Sequence, residues 1–521
     1  MSHPTLAANK IRLIVIGFVT FSLFIAGCSS AAAPVPQANY AAVPAQPQME
    51  AQYCCSTGGN KTPNDKAYDA TFFENYGVNP FIDTEDDNLS TFAMDVDTAS
   101  YTVLRRFLTD GNLPDKDAVR VEEVLNYFDL HYPQPISGAF GINLEAAPSR
   151  FGGEKYYLVK VGIQGREIPT EDRKDAVLTF VIDVSGSMGT ENRLGTVKRA
   201  LQLLVEQLRP TDQVALIVYG TNAHVILEPT PATQAETILA AIDRLQPEGS
   251  TNAEEGLRLA YQMAASAAKE GRINRVILCS DGVANVGNTG ADSILNTIAD
   301  YAAKGIYLSA VGFGMGNYND VLMEQLADKG NGNYAYVDTL DEAKRIFVEN
   351  LTGTLQVIAK DAKIQVEFNP KVVSRYRLLG YENRDIADNQ FRDDKVDAGE
   401  VGAGHSVTAL YEIKFQDNAP QDEALMVRIR YKDPDSGEVI ETRQALPRAE
   451  VNASFDAASP EFHLAAAIAE YAEILKKSYW AKDSQMSDVL ALVRRVQEEL
   501  PKDPQVTEFA SLVERAASLS K

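Results

Sequence analysis

Between residues 176 and 355 the chain alternates short apolar runs with stretches of helical spacing. The runs at 177–184, 214–219, 276–279, 306–311 and 333–337 are apolar almost throughout, which marks strands covered on both faces. Residues 193–208, 235–245, 253–268, 294–303 and 320–327 repeat apolar positions at helical intervals. This alternation predicts a doubly wound, mostly parallel sheet with helices on either side. Ligands on such sheets bind beyond the carboxyl ends of the strands. A short stretch at 225–227 fits an edge strand.

The flanks change period. Residues 90–97 read as a strand, 100–109 as a helix ended by Gly111, and 120–128 as a short helix with Val121, Val124, Leu125 and Phe128 on one face. Period-two alternation follows at 141–147 and 156–163, and returns at 363–368, 376–381, 407–415, 424–431 and 439–444. The later set predicts an antiparallel, sandwich-like domain. If the earlier strands join its sheets, the central unit is an insertion in a β layer. From 461 onward the signal is helical, with Leu464, Ile468 and Ile474 on one face and Val489, Leu490 and Val493 on another. The expected class is therefore α/β, a Rossmann-like sheet flanked by antiparallel β structure and C-terminal helices.

The N-terminus reads as an export signal. Lys10 and Arg12 precede an apolar run at 13–26, too short for the about 20 residues that span a bilayer. The run ends in Phe24-Ile25-Ala26-Gly27-Cys28, which resembles the bacterial lipoprotein box. The resemblance implies cleavage after residue 27 and acylation of Cys28. An ordinary signal peptide, or an uncleaved anchor with Cys28 incidental, is the alternative. By the enterobacterial sorting rule Ser29 and Ser30 point to the outer membrane, facing the periplasm or the cell surface. Residues 28–60 are rich in Ala, Pro, Gln and Ser, the composition of an extended tether.

Composition narrows the partners. The 521 residues carry a formal charge of −23, which argues against nucleic-acid binding and against electrostatic attachment to anionic lipid. Cys54 and Cys55 are adjacent in a polar stretch, where they could pair with another chain or be acylated. Cys279, in an apolar run, fits a small buried core residue. His3, His131, His224, His405 and His463 show no paired ligand spacing, and no hydrolase elbow, zinc-protease or phosphate-loop motif occurs.

The first apolar run of the central unit ends in Asp183-Val184-Ser185-Gly186-Ser187. Oxygen side chains at i, i+2 and i+4 of an extended turn can converge, and hard cations such as Mg²⁺ and Ca²⁺ take six or more oxygens. Two further segments belong at the same end of the sheet. Thr251, in Gly249-Ser250-Thr251-Asn252, supplies a hydroxyl or caps the helix after it. Asp281, in Ser280-Asp281-Gly282, supplies a carboxylate or is a turn acid.

The set Asp-x-Ser-x-Ser, loop Thr and Ser-Asp-Gly resembles the metal-ion-dependent adhesion site of von Willebrand factor type A (VWA) domains. The resemblance implies Asp183, Ser185, Ser187, Thr251 and Asp281 as ligands of Mg²⁺, or of Mn²⁺ or Ca²⁺. The segments 90–101 and 120–128 are similar to the N-terminal region of a bacterial family of VWA lipoproteins, and the part after 340 to its C-terminal domain of unknown function. The expected organisation is a signal peptide at 1–27, a tether at 28–87, a VWA-associated region at 88–170, the VWA domain at 171–356, a β-rich domain at 357–450 and helices at 451–521. What the resemblance implies is a lipid-anchored envelope protein, not an enzyme, whose metal grips an Asp or Glu carboxylate on a protein partner. The competing readings are a scaffold whose metal only stabilises it, and a metal-assisted hydrolase, for which the paired carboxylates Asp95 and Asp97 are the nearest candidate outside the site. A turn at a strand end is the simpler account of that pair.

Overall fold

The protein is described here by a computed structural model covering residues 71, 73–282, 291–315 and 318–520. The expected signal peptide, Cys28, most of the tether, Cys54 and Cys55 lie outside the described residues. Among those described, strands β1 (Ile82–Asp83), β2 (Leu89–Ala93), β3 (Phe140–Pro148) and β4 (Tyr156–Gly165) come first. Strands β5 (Ala176–Asp183), β6 (Gln213–Tyr219), β7 (Ala223–Pro231), β8 (Ile273–Ser280), β9 (Ile306–Phe313) and β10 (Tyr334–Val337) follow. The last are β11 (Val357–Phe368), β12 (Val373–Leu379), β13 (Val401–Gly402), β14 (Ser406–Phe415), β15 (Glu423–Lys432) and β16 (Val439–Pro447). Helices are α1 (Ala99–Thr109), α2 (Val121–Asn126), α3 (Arg193–Val205), α4 (Ala235–Asp243), α5 (Ala253–Ala267), α6 (Ala291–Ala302), α7 (Asp320–Lys329), α8 (Leu340–Lys344), α9 (Leu351–Leu355), α10 (Pro460–Leu475), α11 (Met486–Glu499) and α12 (Pro504–Leu519).

The central sheet has the order β10-β9-β8-β5-β6-β7, parallel except for the antiparallel edge strand β7. That edge strand runs well beyond the 225–227 of the sequence pattern because it pairs with β6 along most of its length. Successive residues of β5 point to opposite faces, as strand geometry requires. Leu178, Phe180 and Ile182 enter a core with α3 and α4, while Val181 enters another with α5, α6 and α7. Both faces are therefore dry, and the uniform apolarity of β5 has its cause there.

Strands from both flanks build the two remaining sheets. One has the order β1-β12-β14-β4-β3, and the other β13-β11-β15-β16 with β2 also on β11. The facing sides of the two share Val159, Val161, Ile163, Ile364, Val366, Ala409, Tyr411, Val427 and Ile429 as one core. The opposite face of the first sheet contributes Leu158, Leu379 and Leu410 to a core with α2, α10, α11 and α12. The central unit is thus inserted between β4 and β11 of one sandwich. Helix α1 joins it to the bundle: Ala99, Val103 and Phe107 pack under the central sheet, and Tyr101, Leu104 and Leu108 pack among the C-terminal helices.

Residues 90–97 do not form one strand. β2 ends at Ala93, and Asp95 and Asp97 beyond it are buried against Arg384, with Asp95 2.9 Å from its Nε. Asp97 also accepts a 2.9 Å bond from the Tyr334 backbone N–H, which ties the flank to β10. An ion pair with a residue so distant in sequence overrides the local strand pattern.

Buried carboxylates set a pH dependence. Glu400 is pushed up to about 8 by burial and then by Asp397 and Asp361, and burial likewise pushes Glu123 to about 8 and Glu122 to about 7. An unfolded glutamate titrates near ~4.3, so between there and pH 8 the folded chain holds more protons and loses stability as pH rises. His405, lowered to about 4 by burial and then by Arg345 and Arg275, acts in the opposite sense below its unfolded value of about 6.5. The melting temperature in EDTA should therefore be higher at about pH 6.5 than at about pH 8.5. Differential scanning fluorimetry across that window checks it, and a flat or inverted profile counts against these buried acids.

Candidate metal centre

β5 delivers Asp183 to the carboxyl edge of the central sheet, and the next strand ends pin the turn that follows. Val184 donates its N–H to Tyr219 O at 2.9 Å, Glu248 N–H donates to Val184 O at 2.5 Å, and Gly186 N–H donates to Gly249 O at 3.1 Å. The loop carrying Thr251 is thereby laced to the turn carrying Ser185 and Ser187. Gly249 sits at φ +65°, and a Cβ there would lie 1.9 Å from Thr221 Oγ1, so the close approach needs glycine.

The side chains follow the backbone. Asp183 is fully buried; its Oδ1 accepts from Ser185 N–H at 2.8 Å and its Oδ2 from Ser280 Oγ at 2.9 Å. Ser185 Oγ and Ser187 Oγ are 3.1 Å apart. Ser185 is buried whereas Ser187 is exposed, so the cradle deepens from a solvent-facing rim to an enclosed carboxylate. Asp281, buried at the end of β8, is near enough for its charge to bear on Asp183. Burial, first, and then that charge raise the Asp183 carboxyl to about 6, against the hydrogen bonds from Ser185 and Ser280. Thr251 is half-buried and is not needed as a helix cap, because Asn252 caps α5 by accepting from Glu255 N–H at 3.4 Å.

Two contacts carry no signature in the sequence pattern. Ser280 orients Asp183 from the neighbouring strand. Arg193, the first residue of α3, sets Nη1 2.7 Å from Asp281 Oδ2 and donates through Nη2 to Met315 O. Cys279, one residue before Ser280, is a free, buried thiol in the core. His224 lies 3.8 Å from Glu248 on the outer edge, and a cleft of about 1100 Å³ between the central unit, the N-terminal flank and the loop before α12 contains none of the five residues.

The donor set suits a hard divalent ion. Among the described residues no three His, Cys, Asp or Glu side chains gather in a metal-holding group. What does gather is two carboxylates with serine hydroxyls, the oxygen chemistry that Mg²⁺ and Ca²⁺ prefer. A carboxylate pushed toward protonation by burial, and further by a second carboxylate, is also a place where a cation is favourable.

Comparison with known proteins places the chain by family. Residues 67–160 match the von Willebrand factor family model, 178–349 the von Willebrand factor type A domain, and 353–519 the C-terminal region of uncharacterized protein YfbK. YfbK of Escherichia coli is 35% identical over 470 residues, covering 85% of this chain and 80% of that one. The uncharacterized protein sll0103 of Synechocystis is 27% identical over 296 residues, 56% of this chain and 69% of that one. A solved von Willebrand factor type A protein from Catenulispora acidiphila is 14% identical, covering 71% of this chain and 90% of that one with a TM-score of 0.41. At that identity and coverage of YfbK, the chain belongs to the bacterial VWA-domain family that includes it.

Proposed function

We propose that this is a lipid-anchored protein of the bacterial envelope whose VWA domain captures a protein partner through a divalent metal. Asp183, Ser185, Ser187, Thr251 and Asp281 would hold Mg²⁺, with Mn²⁺ or Ca²⁺ as substitutes. The observation that carries the reading is the cradle itself, with Asp183 bonded to the Ser185 N–H, Ser185 Oγ 3.1 Å from Ser187 Oγ, and the Thr251 and Asp281 loops beside them. The ion, when bound, supplies an electrophilic position open to an Asp or Glu carboxylate of the partner. An acidic chain tolerates an acidic ligand because repulsion from distant charges is screened beyond about 8 Å at physiological salt. Cys28, acylated, would anchor the chain, with the outer membrane as its place. The role is binding, and it requires no nucleophile or base beside the ion.

The test is crosslinking and pull-down from envelopes, comparing wild type with Asp183→Ala, with Mg²⁺ and with EDTA. Capture should be lost on substitution and on chelation while the fold, read by circular dichroism, persists. Capture that survives both sinks the metal bridge. A large Mg²⁺-induced rise in melting temperature without any crosslinked partner would favour a scaffold stabilised by its metal.

A further inference from the structure

We infer that Arg193 is a resident counter-ion of the metal centre: it holds Asp281 in place and weakens the affinity for the cation that competes with it. The inference rests on the metal reading above and assigns a positioning residue to it. The guanidinium lies 2.7 Å from Asp281 Oδ2, with only 9% of the Arg193 side chain and 6% of that of Asp281 exposed. Its second nitrogen is tied to Met315 O, in the loop after β9, so one side chain spans three loops at the carboxyl edge of the sheet. Space has been made for it. Gly314 has φ +80°, and a Cβ there would fall 2.3 Å from Arg193 Nε.

What holds the guanidinium in place is the buried charge-assisted bond to Asp281, of the kind that is both short and strong. The same bond has a consequence for a divalent ion. Asp183 and Asp281 together would neutralise such an ion, but with Arg193 in place one positive charge is left over. Cation entry is opposed, and the loaded centre keeps a net charge that a partner's carboxylate can complete.

Titration calorimetry with Mn²⁺ on the whole folded chain, in wild type, Arg193→Gln, Arg193→Lys and Gly314→Ala, tests this. Arg193→Gln should bind Mn²⁺ at least about tenfold more tightly, roughly 1.4 kcal/mol. Arg193→Lys, which keeps the charge, should stay within about threefold of wild type. Gly314→Ala, which crowds the guanidinium off Asp281 without removing it, should move affinity in the same direction as Arg193→Gln and stands in if that variant does not fold. A merely structural arginine would lower the melting temperature in EDTA on substitution and leave the affinity alone. Unchanged or weaker Mn²⁺ binding in Arg193→Gln and Gly314→Ala, with uptake in wild type, overturns the counter-ion and spares the metal centre. No uptake in any form overturns the metal centre as well.

Discussion

A fragment of residues 71–355 should fail to fold, even though it holds the whole central sheet. Its strands β3 and β4 lose β14, which pairs with β4 from Ser406↔Gln164 to Lys414↔Tyr156, and β2 loses β11. Val159, Val161 and Ile163 would face water instead of Val427 and Ile429 across the sandwich. Fully burying an aliphatic side chain of this size is worth about 1.5–3 kcal/mol, so these three together are comparable with the about 5–15 kcal/mol that keeps a domain folded. The unpaired edge of β4 would also template aggregation. Helix α1 would lose its cover on one side, leaving Tyr101, Leu104 and Leu108 exposed. Expression of this fragment should give insoluble or dye-binding material, and co-expression of residues 353–521 should restore solubility. A soluble, cooperatively melting fragment would show that the sandwich pairing contributes little.

The second large effect is expected at Arg105, on α1. Its side chain is 8% exposed and makes bonds of 2.6 Å to Asp338, 3.0 Å to Glu342 and 2.9 Å to Glu508, with a further 2.8 Å bond to Tyr127 Oη. These partners lie after β10, on α8, on α12 and after α2, so one guanidinium joins the central unit to both flanks. Asp338 and Glu342 are almost wholly buried. Arg105→Met leaves them without their counter-charge, and breaking a buried pair in this way costs about 3–5 kcal/mol. Arg105→Lys should recover little, because an ammonium cannot reproduce the planar fork that several acceptors share. Urea unfolding of the two variants measures the loss. Calorimetry should also show one expected wild-type transition splitting into two in the variant as the central unit and the bundle uncouple. A loss below about 1 kcal/mol, the value typical of an exposed pair, would mean that the network is not what couples them.

How much of this was legible beforehand depended on distance along the chain. The doubly wound sheet was readable because each apolar run is covered on both faces, so burial leaves a local mark in residues such as Val177 to Ile182. The acid and hydroxyl positions of the cradle were readable because three of them sit within five residues at the end of one strand. The contacts of Ser280 and Arg193 were not, because they depend on which loops meet in space: Ser280 lies in the Ser-Asp-Gly segment, but its bond to Asp183 crosses between strands, and Arg193 has no unusual neighbourhood in sequence. The same holds for the sandwich. β4 and β14 each alternate correctly, yet nothing within either strand says that its partner lies some 240 positions away, as Gln164 and Ser406 do. Asp95 and Asp97 are the converse case, where a strand-like local pattern gives way to a distant arginine.

The two ends of the inserted unit leave from interior strands, β4 between β14 and β3, and β11 between β15 and its neighbours β2 and β13. A pull on whatever is held at the tip of the central sheet would therefore be divided between two lines. Each line ends in a strand gripped along both sides, so that a ladder of backbone bonds must slide together and cannot be unzipped one at a time. Such an anchorage is mechanically suited to a unit that carries load between its tip and its roots.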